Sequence, residues 1–385
     1  MTDKCADLLE RVEAIAPDLA AQAEADEANG SLTAESVRLL DQAGMFGLKA
    51  PEVLGGIEAD PVEQILVLEE LARHNISAAW CTMVAATGGG VAGAMLPDEA
   101  IEHVFGGGRM PRFCGVVIPS GKARRVDGGY RLSGQWSFAS GIGHAEWIAA
   151  SAMVEGAGEG SPEVRKLVFP VSEAVVHDNW QVVGLKGTGS CDFSCDDVFV
   201  PEAFTYSAMT DEPRRGGPLY RFGFPGFVAN EHAAMALGLA RAALDLFREK
   251  ETQRARSYAG GAPTMAGRGV IQDRLARMEL SLRAARLLAI DVNRSAWETL
   301  EGGVAPSIEQ HCEMRAAATH ATEVGCSVVT EVFRHAGGSA VYEKNALQQI
   351  LRDINVAAQH RMVSEAAYEN LGQAMLGLPD VNPMR

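Results

Sequence analysis

The stretch Gly134-Gln135-Trp136-Ser137-Phe138-Ala139-Ser140-Gly141-Ile142-Gly143-His144-Ala145-Glu146-Trp147 lies in the part of the chain whose texture decides the fold. It follows Gly128-Gly129-Tyr130-Arg131-Leu132-Ser133, which reads as a turn leading into a strand. Beyond it, Trp147 to Val154, Lys166 to Val171 and Phe193 to Val200 are short apolar or alternating runs punctuated by Gly, Pro, Ser and Asp. GAGEGSP at 156–162 reads as a polar hairpin loop. Short strands at such spacing predict a small barrel or sandwich.

Moving outward, both flanks turn helical. On the N-terminal side Leu8, Leu9, Val12, Ile15 and Leu19 recur at helical spacing. A second helix follows Ser31, with Val37, Leu39, Leu40 and Met45 inward. Asp60-Pro61-Val62-Glu63 is a helix start, Asp60 capping and Glu63 reaching back to the cap N–H. Ser77 to Met95 reads as a buried helix. On the C-terminal side, 231–250, 270–301, 309–335 and 346–375 predict four long helices in an antiparallel bundle. Their Ala-rich faces suit close approach in an oligomer core. The expected fold is mainly α with a central β domain (α+β). It divides into an N-terminal helical domain at 1–111, a β-barrel at 112–220 and a four-helix bundle at 221–385.

Composition removes several functions. The chain of 385 residues carries 34 Lys and Arg against 50 Asp and Glu, a formal charge of −16. Such a surface repels phosphate backbones, so no nucleic-acid partner is expected, and it gains nothing at an anionic membrane. No apolar run is expected to span a bilayer, and the N-terminus lacks the apolar core of a signal peptide. Seven cysteines, an odd and scattered set, fit a reducing cytoplasm. Cys191 and Cys195 read as ordinary packing, and no metal site is expected. Rossmann, P-loop, HExxH and nucleophile-elbow signatures are missing.

Three segments remain that carry chemistry. They are 134–147, then Val183-Gly184-Leu185-Lys186-Gly187-Thr188-Gly189-Ser190, and finally Gly337-Gly338 with Arg352-Asp353 and Gln359-His360-Arg361. Their order within a helix, barrel and bundle arrangement resembles the acyl-CoA dehydrogenase superfamily along essentially the whole chain. Segment 134–147 is similar to that family's flavin signature, with Phe138 at its aromatic position and Ser140 at its hydroxyl position. The resemblance implies that Ser140 lies beside the flavin N5 as a hydrogen-bond donor. It also implies that Trp136 and Phe138 form a stacking wall, and that the backbone around Val117 faces the pyrimidine edge. Lys186, Thr188, Gly189 and Ser190 would approach the cofactor, Gly187 and Gly189 leaving room for a phosphate. Gly337 and Gly338 match bundle landmarks of the cofactor site. In this fold that site borrows groups from a neighbouring subunit, so a homotetramer is implied.

Family dehydrogenases need a carboxylate base shortly after Arg-Asp; here that position holds Arg361, a permanent cation. Ser140 and His360 together resemble a different branch, the two-component flavin monooxygenases. These receive reduced FAD or FMN from a separate NAD(P)H-flavin reductase. The resemblance implies that O2 adds at the flavin C4a carbon and the hydroperoxide oxygenates a small aromatic substrate of phenol or indole type. His360 would deprotonate that substrate or hydrogen-bond the oxygen species. Trp80, Met83 and His144 are candidates to line the substrate pocket, and the further histidine that this branch often carries in its N-terminal helical domain is not evident. Two other readings stay open: a dehydrogenase with its carboxylate elsewhere on the bundle, and a non-catalytic oligomeric binding relative.

Overall fold

The structure, a computed structural model, describes residues 2–156, 163–207, 211–253 and 264–384. Apart from Gly156, the hairpin loop expected at 156–162 lies outside the described residues. The N-terminal part contains α1 (Asp3–Asn29), α2 (Ala34–Gln42), α3 (Pro61–His74), α4 (Ile76–Met95) and α5 (Asp98–Phe105). Leu8, Val12, Ile15 and Leu19 form the buried stripe of α1, as their spacing predicts. The α3 start is a full capping box: Asp60 accepts from the Glu63 N–H and the Glu63 carboxylate accepts from the Asp60 N–H.

On length and composition alone α4 corrects one expectation. Its 20 residues, mean hydropathy 1.2, are apolar enough to cross a membrane. They are instead a core helix, 78% buried inside the protein and packed on α3, the sheet and the bundle.

The middle part is one seven-stranded mixed sheet. Its strands are β1 (Phe113–Val126), β2 (Gly129–Trp136), β3 (Trp147–Val154), β4 (Val164–Pro170), β5 (Val175–His177), β6 (Asp192–Pro201) and β7 (Thr205–Tyr206). The order is β5-β6-β2-β1-β3-β4-β7, with β1 and β3 parallel and every other pair antiparallel. The order leaves β5 and β7 at the edges, so among the described residues the sheet is open and does not close into the expected barrel. One break in its ladder has a residue-level cause. The β1–β3 register breaks between Val116 and Gly121, and a Cβ on Gly121 would stand 2.1 Å from the Trp136 ring. Only glycine lets β1 bend over that indole.

The C-terminal part contains α6 (Phe224–Leu246), α7 (Gly269–Glu301), α8 (Ile308–Ala336), α9 (Ala346–Ala357) and α10 (Ala366–Met375). α6 is buried almost throughout and packs on α3, α7, α8 and α9. The fourth expected helix is therefore two. The chain leaves helical geometry at His360, which is extended (φ −70°, ψ 136°) and starts a short turn before α10. That break carries His360 out of the bundle surface toward α4 and α6.

Candidate active site

After β2 the chain makes a tight loop at 137–141, in which Phe138 and Gly141 both take positive φ, 67° and 76°. For a phenylalanine this is an unusual conformation held by its surroundings. Ala139 N–H donates to the Cys191 carbonyl and Gly141 N–H to the Thr188 carbonyl. The loop is thus stitched to 188–191, and the Phe138 ring is turned out to 69% exposure, edge-on to Trp180.

The same stitching aligns three buried hydroxyls. Ser140 Oγ lies 2.7 Å from Ser190 Oγ, and Ser190 Oγ 2.7 Å from Thr188 Oγ1. Thr188 donates to the Leu185 carbonyl at 2.7 Å, and Trp80 Nε1–H donates to Ser140 Oγ at 3.2 Å. Each hydroxyl has one proton. Thr188 spends its own on Leu185, so Ser190 donates to Thr188 and Ser140 donates to Ser190. The relay therefore runs one way, from Trp80 to a carbonyl, and leaves Ser140 with a free lone pair. This corrects the expected donor role: Ser140 presents an acceptor.

His360 stands edge-on to Trp80, ring centroids 6.0 Å apart. Its Nδ1 accepts from the Met362 N–H at 3.3 Å, so the neutral ring carries its proton on Nε2 and offers a donor. Burial of the ring pushes its pKa down to about 4, while its exposed outer edge works against the shift; both leave it neutral at pH 7. Stacked on it at 4.0 Å and 23° is a residue that sequence reasoning missed, His232 of α6. It lies in the apolar run Phe227 to Leu239, where the polar triplet Asn230-Glu231-His232 was the available signal. Desolvation first, then His360 and Lys49, hold its pKa well below the ordinary histidine value. Behind it Lys49 and Glu231 form a sealed ion pair at 3.0 Å.

Other expected site residues fall into place or out of it. Val117 is exposed on the stretch of β1 that has left the β3 register, with unpaired backbone beside it. Thr188 and Ser190 are in the relay. Lys186, on the same short turn as Thr188, is held by Glu27 at 3.4 Å. Met83 is core, 5% exposed. His144 packs near Phe46, and its Nδ1 is sealed without a partner. Trp136 is a correction: it is fully buried, stacked on Phe193 at 4.9 Å and bonded to the Ser151 carbonyl, because the β2 alternation turns it into the sheet. The room beside Gly187 and Gly189 is also not a phosphate cradle. Protein fills it: a Cβ would meet Ser77 Oγ at 2.8 Å in one case and Ser31 Cβ at 3.0 Å in the other. Gly337 and Gly338 follow the C-terminus of α8. Arg315, which donates to the Arg361 and Met362 carbonyls beside His360, lies roughly 30 Å back along that helix. Within one chain these glycines do not reach the Ser140–His360 group. A separate groove of about 530 Å³, lined by Arg131, Trp147, Phe169 and Phe204, holds none of these site residues.

The residues present fit a reduced flavin. Its N5 bears a hydrogen, which the free Ser140 lone pair matches. Phe138, Val117 and Ile118 offer exposed apolar surface for a ring system, at 69%, 56% and 63%. A dehydrogenase base does not fit. Arg361 points away to the Met384 carbonyl, Glu231 is locked to Lys49, and Asp353 accepts from the Leu185 N–H.

Comparison with known proteins gives the family. The acyl-CoA dehydrogenase N-terminal domain family matches residues 2–96, and the acyl-CoA dehydrogenase C-terminal domain family matches residues 231–365. An indole-3-acetate monooxygenase of Pseudomonas putida is 30% identical over 87% of this chain and 84% of its own. An FADH(2)-dependent resorcinol hydroxylase, oxygenase component, of Rhizobium sp. is 30% identical over 96% of this chain and 94% of its own. The solved structure of XiaF from Streptomyces sp. in complex with FADH2 and glycerol superposes with a TM-score of 0.89 at 27% identity, covering 98% of this chain and 97% of that one. The chain belongs to the acyl-CoA dehydrogenase superfamily and is the oxygenase component of a flavin-dependent monooxygenase.

Proposed function

We propose that this oxygenase inserts one oxygen atom from O2 into a small aromatic compound of phenol or indole type. It would use reduced FAD or FMN delivered by a separate NAD(P)H-flavin reductase, and work as a cytoplasmic homotetramer. The observation that carries the reading is the opposed pair at the site. Ser140 offers an acceptor at one end of a one-way hydroxyl relay, and His360 offers a donor across Trp80, while the nearby carboxylates Glu231 and Asp353 are held by Lys49 and the Leu185 N–H. The relatives' names, an indole-3-acetate monooxygenase and a resorcinol hydroxylase, support the substrate class.

Reduced flavin, when bound, supplies the electrons that activate O2. The chain's own residues do the rest. Ser140 would hold the flavin through its free lone pair, whose direction the relay fixes. Phe138 and the Val117–Ile118 strand give the ring system an apolar seat. His360 Nε2–H would donate to developing negative charge on oxygen, as a donor fixed in place before the reaction. Trp80 and His232 pack against the His360 ring and hold it in place.

Protein supplied with a generic flavin reductase, NADH and labelled O2 on a phenol and indole panel should yield products carrying one labelled oxygen. Reduction of bound flavin by an acyl-CoA without O2 would overturn the reading. His360→Phe keeps an aromatic ring on His232 but loses the donor. It should lower product formation about 100-fold while flavin binding stays intact.

A further inference from the structure

Among the described residues His232 has no hydrogen-bond role inside the chain. Neither ring nitrogen has a protein partner among the described residues, and neither is among the side-chain polar atoms sealed from solvent without one. The residue is only 6% exposed, and what it exposes lies beside His360 and Trp80. Both nitrogens therefore stay open to pairing with a group from outside the chain. A phenylalanine would fill the same volume and stack equally well.

The surroundings define what the ring offers. The imidazole lies face to face with His360 at 4.0 Å and edge-on to Trp80 at 5.6 Å. The titratable groups around it are His360 from the turn after α9, Lys49 from the segment before α3, and its chain neighbour Glu231, paired with Lys49. Two of these, His360 and Lys49, oppose a proton on His232, and burial opposes it more. The ring is neutral, and a neutral imidazole exposes one bare lone pair. His360 beside it has its lone pair occupied by the Met362 N–H and exposes only a donor. The stack thus presents one donor and one acceptor side by side.

We propose that His232 is the specificity-determining residue of the site: its free nitrogen accepts the hydroxyl or N–H hydrogen of the aromatic substrate, while His360 serves the oxygen being transferred. The inference rests on the phenol or indole reading above. A pocket built to pair a donor hydrogen rejects the analogue that lacks one, because the protein acceptor is then left unpaired.

The test pairs phenol with anisole and indole with N-methylindole, assayed with reduced flavin and O2. Wild-type protein should prefer the free donor over its methylated partner by about tenfold or more in kcat/KM, the worth of one buried hydrogen bond. His232→Phe should erase that preference by raising KM for phenol or indole, with the methylated partner nearly unaffected. His232→Gln, whose amide oxygen again accepts, should restore part of it. Should the Phe variant fail to fold, 15N resonances of the wild-type imidazoles decide: His232 nitrogen should shift on adding phenol and not anisole. If wild type oxygenates both partners and His232→Phe keeps the same ratio, or the His232 resonance ignores phenol, His232 is packing and the proposal falls alone. If wild type oxygenates none of the four compounds, the aromatic reading falls and takes the proposal with it.

Discussion

His144 shows how a single side chain is tuned by what surrounds it. It follows the 137–141 loop, near Phe46, with Nδ1 sealed and unpartnered. Burial first, then the Arg112 charge, pushes its pKa from 6.5 down to about 4. The folded chain therefore refuses a proton that the unfolded chain accepts. Stability held above pH 6.5 is lost as the pH falls from there toward about 4. His144→Phe removes that linkage and keeps the aromatic contact. Its melting temperature should drop less than wild type's between about pH 7 and pH 5, and comparing the two proteins cancels every other titrating group. An equal drop in both would mean that His144 is protonated freely in the folded state. The residues also show where sequence reading stops. Ser140 and His360 stand out because they sit in recognisable strings, but the direction of Ser140's hydrogen bond depends on Ser190, Thr188 and a carbonyl at Leu185. No pattern in 134–147 contains that information. His232 was hidden for a different reason, since its partner is 128 positions away in a turn that the helical periodicity of 346–375 concealed.

At the scale of elements, α9 acts as a clamp on the loop that carries two of the three relay hydroxyls. Asp353 accepts from the Leu185 N–H at 2.7 Å, and Arg352 donates to the Val183 carbonyl at 2.6 Å while pairing with Glu27 of α1 at 2.7 Å. Leu185 is held at φ 52°, a conformation that a leucine adopts only under such constraint. One α9 turn thus ties the loop, the bundle and α1 together, which gives the Arg-Asp pair a physical purpose. Asp353→Ala leaves a buried N–H unpaired and should cost about 1–3 kcal/mol in urea unfolding. Amide exchange at 185–190 should speed up, and more reducing power should be lost to hydrogen peroxide as Ser190 and Thr188 loosen. Asp353→Asn, whose amide oxygen still accepts, should recover most of the loss; if Ala and Asn behave alike, the clamp is not what orders the loop. Elements with strong local signals were legible from sequence: the Asp60–Glu63 capping box and the Leu8 to Leu19 stripe fall where local chemistry puts them. The strand region was legible as strands but not as a topology. The parallel β1–β3 pair and the Gly121 bend under Trp136 arise from contacts between distant segments, and they turn Trp136 inward where a local reading placed it at the cofactor.

For the whole molecule, the position of Gly337-Gly338 becomes an argument about assembly. These glycines match a cofactor landmark, yet α8 carries them roughly 30 Å from the turn that holds His360. If they serve a flavin seated at Ser140, they serve one seated on another copy. The exposed leucines of α7, Leu280 at 65% and Leu287 at 56%, two turns apart, supply apolar surface for such an association. Gly338 makes the idea testable because it has open space in its own chain: a Cβ there meets nothing within 4 Å, and its φ is not in the left-handed region. Gly338→Trp should fold and melt like wild type as judged on a single chain, yet bind reduced flavin far more weakly, because the indole would project into a neighbour's site. Ser140→Ala should retain flavin but waste it as peroxide. Neither variant alone should give much product. Co-expressed, they should form mixed assemblies in which some sites pair an intact Ser140 with an intact Gly338, and product formation should return to a sizeable fraction of wild type. If Gly338→Trp is fully active, or if mixing restores nothing, each site is completed within its own chain and the glycine pair is only the stop of α8.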